Sequence, residues 1–180
     1  GADDNASGTA LVLECARALA GVRFEATVQF ACFNAEEYGL LGSAAYANHL
    51  VARGDSIAGM LNADMIGHLE LGDRRDLDLV DGARAPWLRQ VVLDAGARYV
   101  PELPIVDGSY RPNAGSDHFS FLARGWPAIA LFEDTEGYSP LIHTAADTYG
   151  ESYNDSQLAA LTTRVAVATL ATLAVPIAVP

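Results

Sequence analysis

The stretch that decides the fold is Ile57-Ala-Gly-Met-Leu-Asn-Ala63, an apolar run that ends directly before Asp64. Runs of this length and composition are typical of strands that are buried on both faces of a sheet. Upstream, Glu25–Phe33 is rich in apolar residues and predicts a second interior strand, and Gly42–Val51 between them predicts a helix. This alternation predicts an α/β fold with three layers, α/β/α, around a mostly parallel, twisted central sheet.

The alternation continues to the end of the chain. Asp76–Asp81 predicts a half-exposed strand, because leucines alternate there with acidic residues. Residues 101–117 are rich in proline, glycine and polar residues and predict a long functional loop. The remaining predicted elements are a largely buried helix Ser7–Ala20, a helix Pro86–Tyr99, a short helix His118–Ala123, a strand Ala128–Phe132 and a helix from Asp155 or Ser156 to Ala174.

Length and charge limit the classes of function. The chain has 180 residues, 51% of them hydrophobic, which is enough for one domain over residues 1–180 with its own core. Its net charge of −12 argues against nucleic acid or an anionic membrane as a partner, since both attract positive charge. The apolar run Val165–Val179 is too short to span a bilayer and is interrupted by threonine and proline.

Acidic residues and a histidine follow three of the predicted strands. Glu36 and Glu37 come after Phe33, Asp64 comes after Ala63, and the loop after Phe132 contains His143; Asp3 and Asp4 precede the first helix. Because ligands bind beyond the carboxyl ends of strands in open α/β sheets, we expect these side chains to converge. Carboxylates and histidine are zinc ligands, and in a pair of glutamates one can bind metal while the other moves a proton.

Six motifs occur in a fixed order along the chain. They are Gly1-Ala-Asp-Asp-Asn-Ala-Ser-Gly8, Asn34-Ala-Glu-Glu-Tyr-Gly-Leu-Leu-Gly-Ser43, Leu61-Asn-Ala-Asp-Met-Ile-Gly67, Ser116-Asp-His118, Gly125-Trp-Pro-Ala128 and Ile142-His-Thr-Ala-Ala-Asp-Thr148. Together they resemble the motifs of M28-family zinc aminopeptidases of the bacterial leucyl aminopeptidase type. The resemblance implies a metallo-aminopeptidase that hydrolyses the N-terminal peptide bond of peptides with two zinc ions, and a secreted or periplasmic location.

The resemblance also implies roles for particular residues. Asp4 would bridge the two zinc ions, because the family pattern aligns with the second aspartate of the motif; Asp3 is the lesser candidate. Glu37 and His143 would complete the first zinc site, and Asp64 would bind the second zinc. Glu36 would be the general base. Three further residues are candidates for substrate binding or for support of the site: Met65, Tyr110 and Asp117.

Two departures from the family pattern have consequences. The family's His-x-Asp motif, which supplies a ligand of the second zinc, would lie upstream of Gly1, so we expect an N-terminally truncated domain. We expect such a fragment to hold one zinc ion or none, to be inactive as a peptidase, and to pair as a homodimer through the sheet edge that truncation exposes. The family's oxyanion-binding tyrosine is replaced at the aligned places by Asn113 and Ile142. Tyr110 is a candidate substitute, and the sequence leaves the oxyanion-stabilising residue unassigned.

Two alternative functions remain open from the sequence. A glutaminyl cyclase-like acyltransferase shares the fold and uses a single zinc held by Asp, Glu and His. A non-catalytic, peptidase-like interaction module is the other alternative. Zinc content, together with hydrolysis of an aminoacyl anilide, distinguishes the three readings.

Overall fold

A computed structural model describes residues 1–110 and 114–177. An irregular helical turn, Ala2–Ser7, precedes the first regular helix, and a 3-10 turn, Gly82–Arg84, precedes the third. The helices are α1 (Gly8–Leu19), α2 (Leu41–Arg53), α3 (Pro86–Tyr99), α4 (His118–Leu122) and α5 (Ser156–Ala174). The strands are β1 (Met60–Ala63), β2 (Leu77–Val80), β3 (Ile105–Gly108) and β4 (Ala128–Phe132).

The four strands form one sheet in the order β1-β4-β2-β3. β1 is parallel to β4, with Met60 opposite Ala128, and β2 is parallel to β3. The central pair β4 and β2 is antiparallel, so the sheet is mostly parallel, as predicted. Because β1 and β4 run in the same direction, the segments that follow Ala63 and Phe132 leave the same edge of the sheet.

Helices cover both faces of this sheet. Side chains alternate across a strand, and in β4 the residues Ile129 and Leu131 join a core cluster with Leu88 of α3 and Val165 of α5. On the other face, Ala128 of β4 packs in a separate cluster that contains residues of α2 and α4. This confirms the three-layer α/β/α architecture.

Helix α5 is positioned by its cap and its apolar stripe. Asp155 Oδ1 accepts hydrogen bonds from the backbone N–H groups of Gln157 and Leu158, at 3.0 and 2.9 Å. Leu158 and Leu161 are buried against the α1 and α3 side of the sheet. Within the described residues, α5 is the one helix whose length and hydropathy would allow it to cross a membrane, a test that buried core helices also pass.

The predicted interior strand Glu25–Phe33 is wrong. Its backbone forms no strand ladder with the described residues; only Glu25 and Ala26 donate, to the carbonyls of Val175 and Ala174. Phe30 is 38% exposed, and Cys32 is exposed as well. The apolar pattern identifies a segment that could lie in a sheet, but a strand also needs a partner for its backbone groups.

Other sequence predictions need smaller corrections. Ile57–Ala63 contains a strand, but it begins at Met60 and lies at the sheet edge. β2 is buried along its whole length. Its one acidic residue, Asp78, can be buried because the backbone N–H and the hydroxyl of Thr135 both donate hydrogen bonds to Oδ2. The predicted loop 101–117 contains β3, and α1 is buried along one face only, with Leu13 64% exposed.

Candidate metal centre

Two carboxylates and one imidazole lie close together beyond the carboxyl ends of β1 and β4. Nε2 of His143 lies 3.2 Å from Asp4 Oδ2 and 2.9 Å from Glu37 Oε1. One potential ligand atom from each of the three residues lies within 4.8 Å of the others. This spacing fits a single cation, since zinc is bound by oxygen and nitrogen atoms at about 2.0–2.2 Å.

Each of these side chains is carried by irregular backbone. Asp4 lies in the turn before α1, where its own φ and ψ are not helical and its peptide bond to Asn5 is cis. Glu37 lies in the turn before α2, which Leu40 N closes on Glu36 O at 2.8 Å. His143 has a positive φ of 59°, an uncommon conformation that occurs often at functional sites.

Asp64 lies in the same cleft, next to the three-residue group but outside it. Its Oδ2 accepts a hydrogen bond of 2.5 Å from Ser116 Oγ, which in turn accepts one of 2.7 Å from Asn62 Nδ2. This chain of bonds from β1 fixes the direction of the Asp64 carboxylate. Ser116 and Asn62 were not predicted as site residues, although both stand within the quoted motifs.

The cleft has a volume of about 570 Å³. Charged residues line one wall: Asp4, Glu36, Glu37, Asp64 and His143. Apolar and aromatic residues line the other wall, among them Met65, Tyr110, Phe119, Phe132, Tyr138 and Ile142. Two of the three predicted substrate-binding candidates, Met65 and Tyr110, therefore face the cleft. The third, Asp117, is buried and is not among its lining residues.

The carboxylates raise one another's pKa. Burial raises the pKa of Glu36 to about 8, and the negative charges of Asp64, Glu37, Asp117 and Asp4 add to the effect. Burial likewise raises the pKa of Asp64 to about 7, against the hydrogen bond from Ser116. The pKa of Asp4 rises to about 6, through burial and the neighbouring Glu37. Acids packed this closely ionise together only when positive charge lies among them, which a bound cation supplies.

Tyr110 packs edge to face against Phe132, with ring centroids 5.4 Å apart. Burial, followed by the charge of Asp64, raises the pKa of its phenol well above the ordinary value, so the hydroxyl stays protonated. The position of Asn113 lies outside the described residues. His118, from the predicted Ser116-Asp-His motif, is fully buried, and its Nε2 lies 3.0 Å from Asp81 Oδ2.

A second acidic pair lies beneath the site. Glu133 accepts hydrogen bonds from the backbone N–H groups of Gly67 and His68, at 3.1 and 2.6 Å, and Gly67 N also donates to Asp3 Oδ1 at 3.0 Å. Burial and the charge of Asp3 raise the pKa of Glu133 to about 10. Because the pKa values of both acids are raised, the pair tends to keep one proton between its two carboxyl groups. Asp3 stands in the first of the quoted motifs, but no motif pointed to Glu133 as its partner.

Fold and site together define an α/β/α domain in which two carboxylates and a histidine that could hold a metal ion lie beyond the ends of parallel strands. The sequence pattern of peptidase family M28 matches residues 1–169, and the chain belongs to this family.

Known proteins with similar sequences and structures agree with this assignment. A probable leucine aminopeptidase of Arthroderma benhamiae is 35% identical over 155 residues, covering 82% of this chain and 41% of the relative. The zinc aminopeptidase BSAP of Bacillus subtilis is 26% identical with a TM-score of 0.79, covering 96% of this chain and 42% of that one. A glutaminyl cyclase of an Acidobacteriales bacterium shares the fold, with 23% sequence identity and a TM-score of 0.69. The match covers 97% of this chain and 62% of the cyclase chain. The chain thus spans about two fifths of the length of the curated relatives it matches.

Proposed function

We propose that the protein is a zinc aminopeptidase that hydrolyses the N-terminal peptide bond of peptides. The observation that carries the proposal is the convergence of Asp4, Glu37 and His143 within 4.8 Å beside a cleft that also contains Glu36 and Asp64. The names of the similar proteins, a probable leucine aminopeptidase and a zinc aminopeptidase, support this chemistry.

The donor set fits zinc. Asp4, Glu37 and His143 would hold one ion, leaving room for water as in open catalytic sites. Asp64 would hold a second ion, with Asp4 shared between the two. When bound, zinc supplies Lewis-acid polarisation of the scissile carbonyl and makes a water molecule acidic enough to attack near neutral pH.

Glu36 moves the proton in this proposal. It lines the same cleft as Asp4, Glu37 and Asp64, and the negative charges of these three residues help to raise its pKa. Its carboxylate accepts the proton of the attacking water and passes it to the departing amine. The pKa of about 8 belongs to the metal-free cleft. Bound zinc would place positive charge among these acids and lower that pKa, so that the Glu36 carboxylate is ionised and can accept a proton.

The apolar wall of the cleft would receive the side chain of the N-terminal residue. Met65 and Phe132 are buried in one cluster, and Tyr138 and Ile142 pack against it. Apolar walls of this kind favour apolar N-terminal residues, because burying them removes hydrocarbon surface from water. We propose leucine-like residues as the preferred substrates.

The test is Glu36→Gln in the full-length protein, assayed with leucine p-nitroanilide and by zinc analysis. The amide keeps the shape of the side chain but cannot accept a proton, so we expect kcat to fall by roughly 10²–10⁴-fold with zinc content unchanged. Glu14→Gln, on the far side of α1, is the control and should leave kcat unchanged. A kcat within tenfold of wild type in Glu36→Gln would contradict the general-base role.

The same samples distinguish the two alternatives. A cyclase would release ammonia from peptides that begin with glutamine and would leave the anilide intact. A non-catalytic module would do neither. The extracytoplasmic location and the homodimer remain predictions.

A further inference from the structure

One residue in the loop after β4 binds the backbone that carries Asp4. Asp147 Oδ1 accepts a hydrogen bond from Asp3 N at 2.8 Å, and Oδ2 accepts one from Asp4 N at 3.0 Å. The backbone carbonyl of Asp147 accepts a third, from Ala2 N at 3.0 Å. Three consecutive N–H groups are therefore bound by a single residue whose side chain is 1% exposed.

Asp147 belongs to the same compact turn as His143. Thr144 joins the two residues: its carbonyl accepts from Asp147 N at 3.2 Å, and its hydroxyl accepts from Ala146 N at 3.1 Å. A displacement of Asp147 would therefore move His143 as well. The contact between Asp147 and the Asp4 backbone thus joins two potential ligands that come from opposite ends of the chain.

The approach of the two segments leaves no spare room. A Cβ atom added at Gly1 would lie 2.4 Å from the carbonyl oxygen of Asp147 and 2.6 Å from its carboxyl carbon. The Gly1 nitrogen itself lies 3.3 Å from Asp147 Oδ2. Glycine at this position is needed for the close contact, which is a second and independent sign that the distance between the segments matters.

We propose that Asp147 is a positioning residue of the metal centre, whose carboxylate holds the Asp4 backbone at the distance from His143 at which both side chains bind the same cation. Asp147 does not belong to the group of potential ligands itself. This inference rests on the proposed zinc site. Residues that orient metal ligands in this way typically contribute about 10–100-fold to metal affinity.

The two hydrogen bonds of the Asp147 carboxylate can be tested with a substitution that removes one acceptor oxygen. Two N–H donors need two acceptor oxygens, and an aspartate supplies both. In Asp147→Asn one oxygen becomes an amide NH2 group, which would face the N–H of Asp3 or Asp4 without an acceptor between them. The side chain keeps its size, so the change removes one hydrogen bond without opening a cavity.

Asp78→Asn is the matched control. Asp78 is also buried, at 5% exposure, and its Oδ2 accepts two hydrogen bonds from Thr135, at 2.7 and 2.6 Å. It lies beside a different cleft, lined by Glu70, Asp73 and Asp134 among others. The same chemical change there should lower stability without altering the predicted zinc site.

The measurement is the zinc dissociation constant of the folded protein, by competition with a chromophoric chelator, with circular dichroism to establish that each variant is folded. We expect Asp147→Asn to weaken zinc binding by about 10–100-fold and Asp78→Asn to leave it within twofold. Gly1→Ala keeps the Asp147 carboxylate but forces the N-terminal turn away from it, so this variant should also weaken zinc binding. It replaces Asp147→Asn in the test if that variant does not fold.

The outcomes separate the two proposals. Zinc binding by Asp147→Asn, or by Gly1→Ala in its place, within twofold of wild type would overturn the positioning role and leave the zinc site intact. An equal loss in Asp78→Asn would overturn it too, by showing that lower stability alone weakens binding. A wild-type protein that binds no zinc would overturn the zinc site itself, and the positioning role with it.

Discussion

Asn5 donates a hydrogen bond of 3.0 Å from its side-chain nitrogen to the carbonyl oxygen of Ala63. Asn5 directly follows Asp4, and Ala63 directly precedes Asp64, so one amide joins the backbones of two predicted zinc ligands. The same side chain also accepts a hydrogen bond of 2.9 Å from Gly8 N, at the start of α1. The relative positions of Asp4 and Asp64 therefore depend on a residue that binds no metal.

Replacing Asn5 by alanine should lower the free energy of unfolding by about 1–3 kcal/mol, because the carbonyl of Ala63 and the N–H groups of Gly8 and Met65 lose their partner in a half-buried site. Urea denaturation of the metal-free protein measures this loss. Thr9→Ala is the control, since its hydroxyl donates to the carbonyl of Asn5 from an exposed position and should change stability by less than about 0.5 kcal/mol. Equal effects of the two variants would show that the Asn5 side chain contributes little.

The stability of the metal-free protein should fall as the pH rises from about 4 to about 8. In the folded chain the pKa values of Asp4, Asp64 and Glu36 are raised to about 6, 7 and 8, above the ordinary values of 3.8 and 4.5. The folded state therefore binds protons more tightly than the unfolded state. This contribution is fully present below the unfolded pKa values and is lost as pH rises through the folded ones.

Zinc should reverse this trend, because it replaces the protons that the folded site binds. Thermal unfolding at about pH 5.5 and about pH 8, with chelator and with zinc, measures both effects. The increase in Tm caused by zinc should be larger at the higher pH. Glu36→Gln is the matched variant and should show a weaker pH dependence in chelator. A metal-free Tm that rises across this range would contradict the assigned pKa shifts.

Leu88→Ala should destabilise the protein by about 2–5 kcal/mol, because Leu88 is fully buried in the core cluster between α3, α5 and the sheet. Leu13→Ala is the same chemical change on the exposed face of α1, where 64% of the residue remains accessible. It should alter stability by less than about 0.5 kcal/mol. Chemical denaturation of both variants tests the assignment of the core; similar losses would show that α1 buries more of its surface than the structure indicates.

Sequence periodicity predicted the helices, whose backbone hydrogen bonds are made between residues close together in the sequence. Pro86 at the first helical position and the apolar stripe that follows it were sufficient to define α3, and Asp155 was sufficient to mark the start of α5. Glu25–Phe33 failed because strand formation depends on a partner that periodicity does not reveal. The prediction that the strand within Asp76–Asp81 is half exposed was wrong for a related reason. The burial of Asp78 depends on hydrogen bonds from Thr135, a residue distant in the sequence.

The site was predictable to the extent that its residues lie in motifs. Asp4, Glu37, His143 and Asp64 could be chosen from their positions at strand ends and from family resemblance, and the structure brings the first three together. The contacts that hold them were not predictable in this way. Asp147 stands in the last quoted motif, but the backbone N–H groups that it binds carry no sequence signal. Glu133 lies outside the motifs and is paired with a residue from the other end of the chain.

The proton shared by Asp3 and Glu133 changes the charge that a bound metal would experience. The sequence alone would count both residues as anions, so that the pair would place two negative charges near the site. With one proton held between the two carboxyl groups, the pair carries a single negative charge. The pair would then add less negative charge near a bound divalent ion, and the ion would keep more of its electron-withdrawing power than it would beside two ionised acids.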